Sequence, residues 1–340
     1  MKHVTIKDVA KILNVSVSTV SRAFNDKYDI RKETRDYIIA KAKEMGYHPN
    51  PIAKKLLSQC SYNIGVVVPE FINPFFPEVI IGIQDVLFKA GYQVLIMQSN
   101  ESSVNELENI KTLENNMVDG IIMSISQETK NIDYYKKLIN DGFPLVMFNR
   151  VSDELDVSKV IFDDYKWAFF ATEHLIYQGY KKIFHFSGPK VLGLSRNRIQ
   201  GFTDALKKHR IAVSADLVIE TGLMIADGER VMQQLIDTRN LPEAIFCVND
   251  PTAIGVIKKL KQNGLRIPLD VAVVGFTETK TAELLDPQLT SVAQPTFEMG
   301  QIAAKLLLDQ INSKSNSIPQ KIVLNGRLNI RDSSVKLHIH

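Results

Sequence analysis

The chain has 340 residues, 45% of them hydrophobic and 23% charged, with a formal net charge of +3. That length exceeds one core of ordinary size and predicts about two or three domains, while the absence of any apolar run of about 18 residues excludes a conventional spanning helix. Cys60 and Cys247 form neither a disulfide framework nor a zinc spacing, and MKHVTIKDVAKIL lacks the apolar core of a secretion signal, so a reduced, cytoplasmic protein is expected.

The charge is unevenly spread. Residues 1–60 hold 12 Lys and Arg against 6 Asp and Glu, whereas the remainder holds 29 against 32. A basic head on a mildly acidic body points the head toward a polyanion. Thr5 followed by Asp8 is an N-cap signal with an acid in the first turn. Ile6, Val9, Ala10 and Leu13 then form one apolar stripe at helical spacing. The NVS stretch breaks that helix, and Ser16 can cap a second one. In VSVSTVSRAF, Val20, Ala23 and Phe24 face inward and Val17, Ser18, Ser21 and Arg22 face outward. A helix made for water would carry Glu and Lys outside. Short hydroxyls instead let the backbone approach a partner closely, where they meet phosphates or base edges, and arginine grips guanine with two bonds. A third helix, KETRDYIIAKAKEMG, turns Ile38, Ala42 and Met45 inward and ends at Gly46. These three make a helix-turn-helix unit. The competing reading of the same residues is a small helical bundle packed on the body.

VTIKDVAKILNVSVSTVSRAFN, followed by TRDYIIAKAKEMGYHPNPIAKKL, closely resembles the DNA-binding head of the lactose-repressor (LacI/GalR) family of bacterial transcription factors. The resemblance implies that Val17, Ser18 and Arg22 read bases in the major groove, and that Thr5, Ser16, Thr19, Ser21 and Asn25 mostly hold phosphates. One departure is Arg31, where the family usually has a serine to start the third helix; Asp29 is the alternative cap. Residues 47–63, YHPNPIAKKLLSQCSYN, follow. Asn50 can cap, Pro51 suits the first helical position, and Ile52 to Leu57 span about two turns, too short to be stable alone. The resemblance implies that this hinge folds when two copies meet on DNA, with Leu56 wedged into the minor groove, Lys54 and Lys55 facing phosphates, and Asn50 and Ala53 also binding DNA; a plain linker is the alternative.

From residue 62 on, apolar runs alternate with amphipathic stretches. NIGVVVPE, YQVLIMQS, VDGIIMSI and PLVMFNR predict buried strands, separated by helices near 75–90, 103–117 and 131–141. KKIFHFSG, LVIETG, EAIFCVND and VAVVGF predict a second set, with helices near 165–178, 196–209, 227–237 and 251–263. Buried runs with helical crossovers mean parallel sheets covered on both faces, here two α/β lobes, each doubly wound. The resemblance implies a body like that of periplasmic sugar-binding proteins, with three chain crossings placed near 162, 290 and 322. LTSVAQPTFEMGQIAAKLLLDQI is then expected to return to the first lobe and IVLNGRLNIR to add to the second. The expected map is a DNA-binding domain at 1–48, a hinge at 49–61, and an effector-binding and dimerisation domain at 62–340. Its first lobe is about 62–162 and 291–321, and its second about 163–290 and 322–340.

Ligands of open α/β sheets bind at the carboxyl ends of the strands. Asn73, Phe75 and Phe76 leave the first strand, and either line a cleft with an aromatic face or belong to a turn and the core. Asp163 and Asp164 either bond ligand hydroxyls or cap a helix. Arg198, in RIQGF, matches the family's ligand-gripping arginine; a surface ion pair is the alternative. Asn249 and Asp250 match the family's ND motif, and Asp250 before Pro251 is also a good N-cap. Thr277 stands where the family often has an aspartate, and Leu223 where some relatives have an aromatic.

Phosphate-binding, dinucleotide, nucleophile-elbow and zinc-protease motifs are all missing from the sequence, so no enzyme, cofactor or metal is expected. The expectation is a homodimeric regulator, a repressor, that binds double-stranded operator DNA under control of a small metabolite, a sugar or sugar derivative first. The alternatives are a periplasmic-type sugar receptor, which would need a secretion signal, and a regulator controlled by a protein corepressor.

Overall fold

The computed structural model describes residues 4–24, 30–47, 60–313 and 318–336. The chain divides into two units, Met1–Ser61 and Tyr62–His340. In the first, α1 (Ile6–Ile12) begins at a capping box: the Thr5 hydroxyl accepts from Asp8 N, and Thr5 N donates to Asp8 Oδ2 at 2.9 Å. Asn14, in the left-handed region at φ 51°, turns the chain, a conformation asparagine tolerates. Ser16 Oγ then accepts from Thr19 N at 3.0 Å and caps α2 (Val17–Phe24). Arg31 makes no side-chain cap bond for α3 (Lys32–Glu44); Asp29, the alternative cap, lies outside the described residues. Gly46, at φ 72°, ends α3 as expected. Val9, Ala10, Val20, Ala23, Ile38, Ala42 and Tyr47 form the small core.

The described residues of the second unit form two six-stranded sheets. Its first half runs β1 (Asn63–Val68), α4 (Phe75–Lys89), β2 (Gln93–Gln98), α5 (Ser103–Asn115), β3 (Gly120–Met123), α6 (Ile132–Asn140), β4 (Leu145–Phe148) and β5 (Ser158–Phe162). The chain then enters α7 (Asp164–Tyr177), β6 (Ile183–Ser187), α8 (Gly193–Lys208), β7 (Val218–Glu220), α9 (Ile225–Asp237), β8 (Ala244–Cys247), α10 (Asp250–Gln262), β9 (Ala272–Thr277) and β10 (Thr290–Ala293). It closes with α11 (Thr296–Asn312), β11 (Lys321–Leu324) and β12 (Arg327–Asn329). The strand orders are β11-β5-β4-β3-β1-β2 and β12-β10-β9-β8-β6-β7. Among the described residues every pairing is parallel except β10 with β12. Buried apolar runs such as Ile64–Val68 and Ala272–Phe276 account for the parallel form, because helices cover both faces.

Two expectations need correction. Thr290–Ala293 does not return to the first lobe: it pairs with β9 in the second sheet, and only α11 goes back. IVLNGRLNIR does not belong wholly to the second lobe, since Lys321–Leu324 pairs with β5 and Arg327–Asn329 with β10. The third crossing therefore falls at Asn325–Gly326, just past 322. Gly326 lets the chain pass close to its neighbour there, because a Cβ would lie 2.3 Å from the Ala293 carbonyl oxygen. β5, absent from the expected strands, supplies the first crossing.

α11 and α4 pack backbone to backbone. A Cβ on Gly300 would sit 2.0 Å from Val79 O, and one on Gly82 2.1 Å from Phe297 O. Gly300→Ala gains helix propensity of about 1 kcal/mol but forces two helices apart. Overpacking costs about 1–3 kcal/mol, and here the clash is with backbone, so a net loss is expected as a lower urea midpoint. An unchanged or higher midpoint would show that the helices are not held this closely.

Candidate functional site

On α2 the side chains of Val17, Ser18 and Arg22 are exposed, and Thr19 and Ser21 are half-buried. Ser16 Oγ lies 2.7 Å from both Ser18 Oγ and Thr19 Oγ1. The hydroxyls thus gather at the start of the helix, beside exposed Val17. Arg35 Nε donates to Ala23 O at 3.2 Å and ties α3 to the end of α2. Thr5 is spent partly on its own cap. Asn25, Asn50, Ala53, Lys54 and Leu56 lie outside the described residues.

In the body, a narrow cleft opens at the carboxyl ends of the strands of both sheets. It is lined by Asn73, Phe75, Phe76, Asn149, Arg150, Leu194, Arg198, Leu223, Asn249, Thr277 and Gln294. Through Asn149, Arg150 and Leu194 it continues into a wider space, bordered by Asp164, Arg196 and Asn197 among others. The expected residues Asn73, Phe75, Phe76, Arg198, Asn249 and Thr277 come together in the narrow part. Phe75 and Phe76 are both wall and core, being almost fully buried and packed edge to face at 5.1 Å. Asn73 Oδ1 accepts from Phe75 N at 3.1 Å, which orients the start of α4.

Arg198 is buried and does not sit in a surface ion pair. Its Nε and Nη2 donate to Asp164 Oδ1 at 2.9 and 2.7 Å, its Nη1 donates to Val248 O, and its guanidinium carbon lies 3.8 Å from the centre of the Phe276 ring. Burial raises the Asp164 carboxyl above its ordinary value and lowers Arg198, each shift opposed by the partner's charge. Asp163 caps α7, with Oδ1 accepting from Lys166 N at 3.1 Å. It does not line the narrow cleft.

Asn249, not Asp250, is the N-cap of α10. Its Oδ1 accepts from Thr252 N and its Nδ2 donates to Leu223 O, both at 2.9 Å. Asp250 turns away from the cleft. It accepts from Ser291 Oγ at 2.6 Å and from Thr279 N at 2.7 Å, and burial pushes its carboxyl up to about 6. These bonds brace the turn after β9, where Thr277 and Glu278 both hold positive φ, 90° and 39°. Such strain in non-glycine residues persists only where the surroundings over-determine it. Here Glu278 is clamped by Asn329 and Arg331.

Asn149, Arg150, Leu194 and Gln294 were not expected at the cleft. Asn149 and Arg150 end PLVMFNR at the carboxyl end of β4, the position where open α/β sheets place ligands, so the strand-end rule was the available signal. Gln294 follows β10 at the second crossing, and Leu194 opens α8. Arg150 is buried and paired with Glu101 at 2.7 Å, its guanidinium 5.5 Å from the Phe76 ring centre. Among the described residues no helix is long and apolar enough to cross a membrane.

A helix-turn-helix head joined to a two-lobed body with a cleft at its strand ends defines a class of ligand-responsive DNA-binding proteins. Residues 5–50 match the model of bacterial regulatory proteins of the lacI family, and residues 61–327 match that of periplasmic binding proteins and the sugar-binding domain of the LacI family. The chain is 33% identical to the ribose operon repressor of Halalkalibacterium halodurans, over 94% of this chain and 96% of that one. It is 34% identical to the transcriptional repressor CytR of Escherichia coli, over 91% and 90%. A solved complex of the transcriptional regulator CelR with cellobiose superposes with a TM-score of 0.74 at 28% identity, covering 97% of this chain and all of that one. The chain belongs to the LacI family of DNA-binding bacterial transcriptional regulators.

Proposed function

We propose that the cleft binds a small effector, a sugar or sugar derivative, and that its occupancy sets how tightly a homodimer holds operator DNA. The carrying observation is the origin of the lining. Asn73, Phe76, Asn149 and Arg150 come from the first lobe, and Leu194, Arg198, Asn249 and Thr277 from the second. A ligand touching both sets fixes the angle between them, and the angle sets whether two hinges, residues 49–61, can pair on DNA, which couples effector to operator. A relative that represses a ribose operon and another solved with cellobiose support a sugar. In this reading Val17, Ser18 and Arg22 read bases, Thr5, Ser16, Thr19, Ser21 and Asn25 hold phosphates, Leu56 wedges into the minor groove, Lys54 faces phosphates, and Asn50 and Ala53 also contact DNA. The protein is a cytoplasmic regulator and not an enzyme.

The test is a sugar screen by thermal shift, followed by operator titration with an operator chosen by in vitro selection. A ligand at about 100 times its dissociation constant adds roughly 2.7 kcal/mol, and that ligand is expected to change operator affinity. Indifference of operator affinity to every stabilising sugar, or a strict monomer in sedimentation at micromolar concentration, would overturn the reading. Arg22→Ala is expected to weaken binding to the selected operator by about 1–3 kcal/mol, the value of a good bidentate base contact. An unchanged affinity would remove Arg22 from the reading face.

A further inference from the structure

We infer that the effector carries an anionic acceptor, a carboxylate or a phosphate, seated in the narrow cleft between Arg150, Arg198 and the first turn of α8. This rests on the cleft being the effector site. A neutral sugar presents hydroxyls, each of which also donates a hydrogen bond and needs an acceptor. Among the described residues lining the narrow cleft none is acidic. Its amide oxygens are partly committed as well, that of Asn249 to Thr252 N and that of Asn73 to Phe75 N.

Donors remain. Gln294 is only 9% exposed, and its Nε2 has no hydrogen-bond partner among the described residues. Arg150 gives Nη1 to Glu101, leaving Nε and Nη2 outside that pair. Arg198 and Arg150 both line the narrow cleft. α8, 16 residues long, begins with Leu192 at its N-cap, with no side-chain cap bond and no acid in its first turn. By contrast Asp163 caps α7 and Asn249 caps α10. Leu194 lines the narrow cleft and Leu192 and Gly193 border the wide part, so the orphan amides of that turn start where the two meet, and such amides favour an anion.

The carboxylates lie elsewhere. Glu101 and Asp164 balance the arginines from outside the narrow cleft, and Glu70 is buried and accepts from Asn73 N at 2.8 Å. Asp164, Asp153 and Glu154 border the wide part, where hydroxyls find acceptors. The polarity therefore fits a sugar acid or sugar phosphate, with its charge in the narrow part and its hydroxyls toward the wide part.

Calorimetry on the full-length protein tests this with matched sets: ribose, ribonate and a ribose monophosphate, then glucose, gluconate and a glucose monophosphate. At least one anion is expected to bind about tenfold or more tightly than its neutral parent, a difference of about 1.4 kcal/mol. Preference for the acid assigns a carboxylate, and preference for the monophosphate a phosphate. Gln294→Glu, nearly isosteric, is expected to lower that anion's affinity about a hundredfold by placing a carboxylate against it. Leu194→Trp, which fills the cleft, serves as the second variant if Gln294→Glu melts early. A neutral sugar that binds as tightly as its anions overturns the inference and leaves the cleft as the effector site. Failure of every anion to bind in the millimolar range also overturns it. An anion whose binding survives both variants overturns the inference and the cleft assignment together.

Discussion

Arg198→Ala is expected to abolish the effector response and to lower the stability of the body by roughly 3–5 kcal/mol, the cost of breaking a buried ion pair. The two losses have separate causes. The response is lost, on the proposed function, because Arg198 borders the cleft and has N–H groups left over from its bonds to Asp164 and Val248. Stability is lost because Asp164 is left as an unpaired carboxylate and Val248 O loses a donor. The double variant Asp164→Leu with Arg198→Met separates them. Replacing both members of a buried pair by apolar groups of similar volume is often close to neutral, so the double variant is expected to regain most of the stability and none of the effector response. Operator affinity, measured well below the melting temperature, is expected to survive in both variants. Urea unfolding and operator titration read the two quantities. A single variant that still responds to effector would take Arg198 out of the site. A double variant as unstable as the single one would locate the cost in lost packing over the Phe276 ring, not in charge.

This pair also shows where the sequence stops being readable. The head was legible because its signals are local: Thr5 and Asp8 three apart, a stripe at Val9 and Ala10, and a glycine at position 46 all act within a few residues. The two-lobed α/β architecture was legible for a similar reason, since parallel strands buried on both faces leave long apolar runs. The crossings were not. β10 and β11 are short, and the hydrophobic pattern does not say which sheet a strand joins. The site was half legible. Strand-end residues Asn73, Thr277 and Asn249 follow from the rule that clefts form at carboxyl ends, and Asn149 and Arg150 follow from the same rule at β4. That Arg198 meets an acid 34 residues away, or that Asp250 turns toward Ser291 and away from the cleft, depends on packing across the chain. Periodicity carries no information about it.

Asp250→Asn is expected to change how stability depends on pH, by about 3 kcal/mol between pH 4 and pH 7. The folded carboxyl is pushed from 3.8 to about 6 by burial, against the opposing bonds from Ser291 and Thr279. In the unfolded chain it releases its proton near the ordinary value. Between the two values the folded state holds the extra proton, so this contribution is full below the unfolded value and is lost as pH rises through about 6. The shift of roughly two units corresponds to about 3 kcal/mol. Asparagine stays neutral throughout. It keeps an acceptor for Thr279 N, and its amide nitrogen can donate to Ser291 Oγ. The parent protein carries an opposite trend from His185, whose imidazole burial pushes down to about 3, so that stability falls as pH drops below its ordinary value of 6.5. The difference between variant and parent removes that common trend. Measured by urea unfolding, it is expected to move in favour of the variant from pH 4 to pH 7. A flat difference would mean that the folded and unfolded carboxyls titrate alike, and that Asp250 is hydrated in solution. In that case the brace on Thr279 and Ser291 would be too weak to hold Thr277 and Glu278 at positive φ, and the strained turn at the cleft would need another anchor, for which the clamp of Arg331 and Asn329 on Glu278 is the remaining candidate.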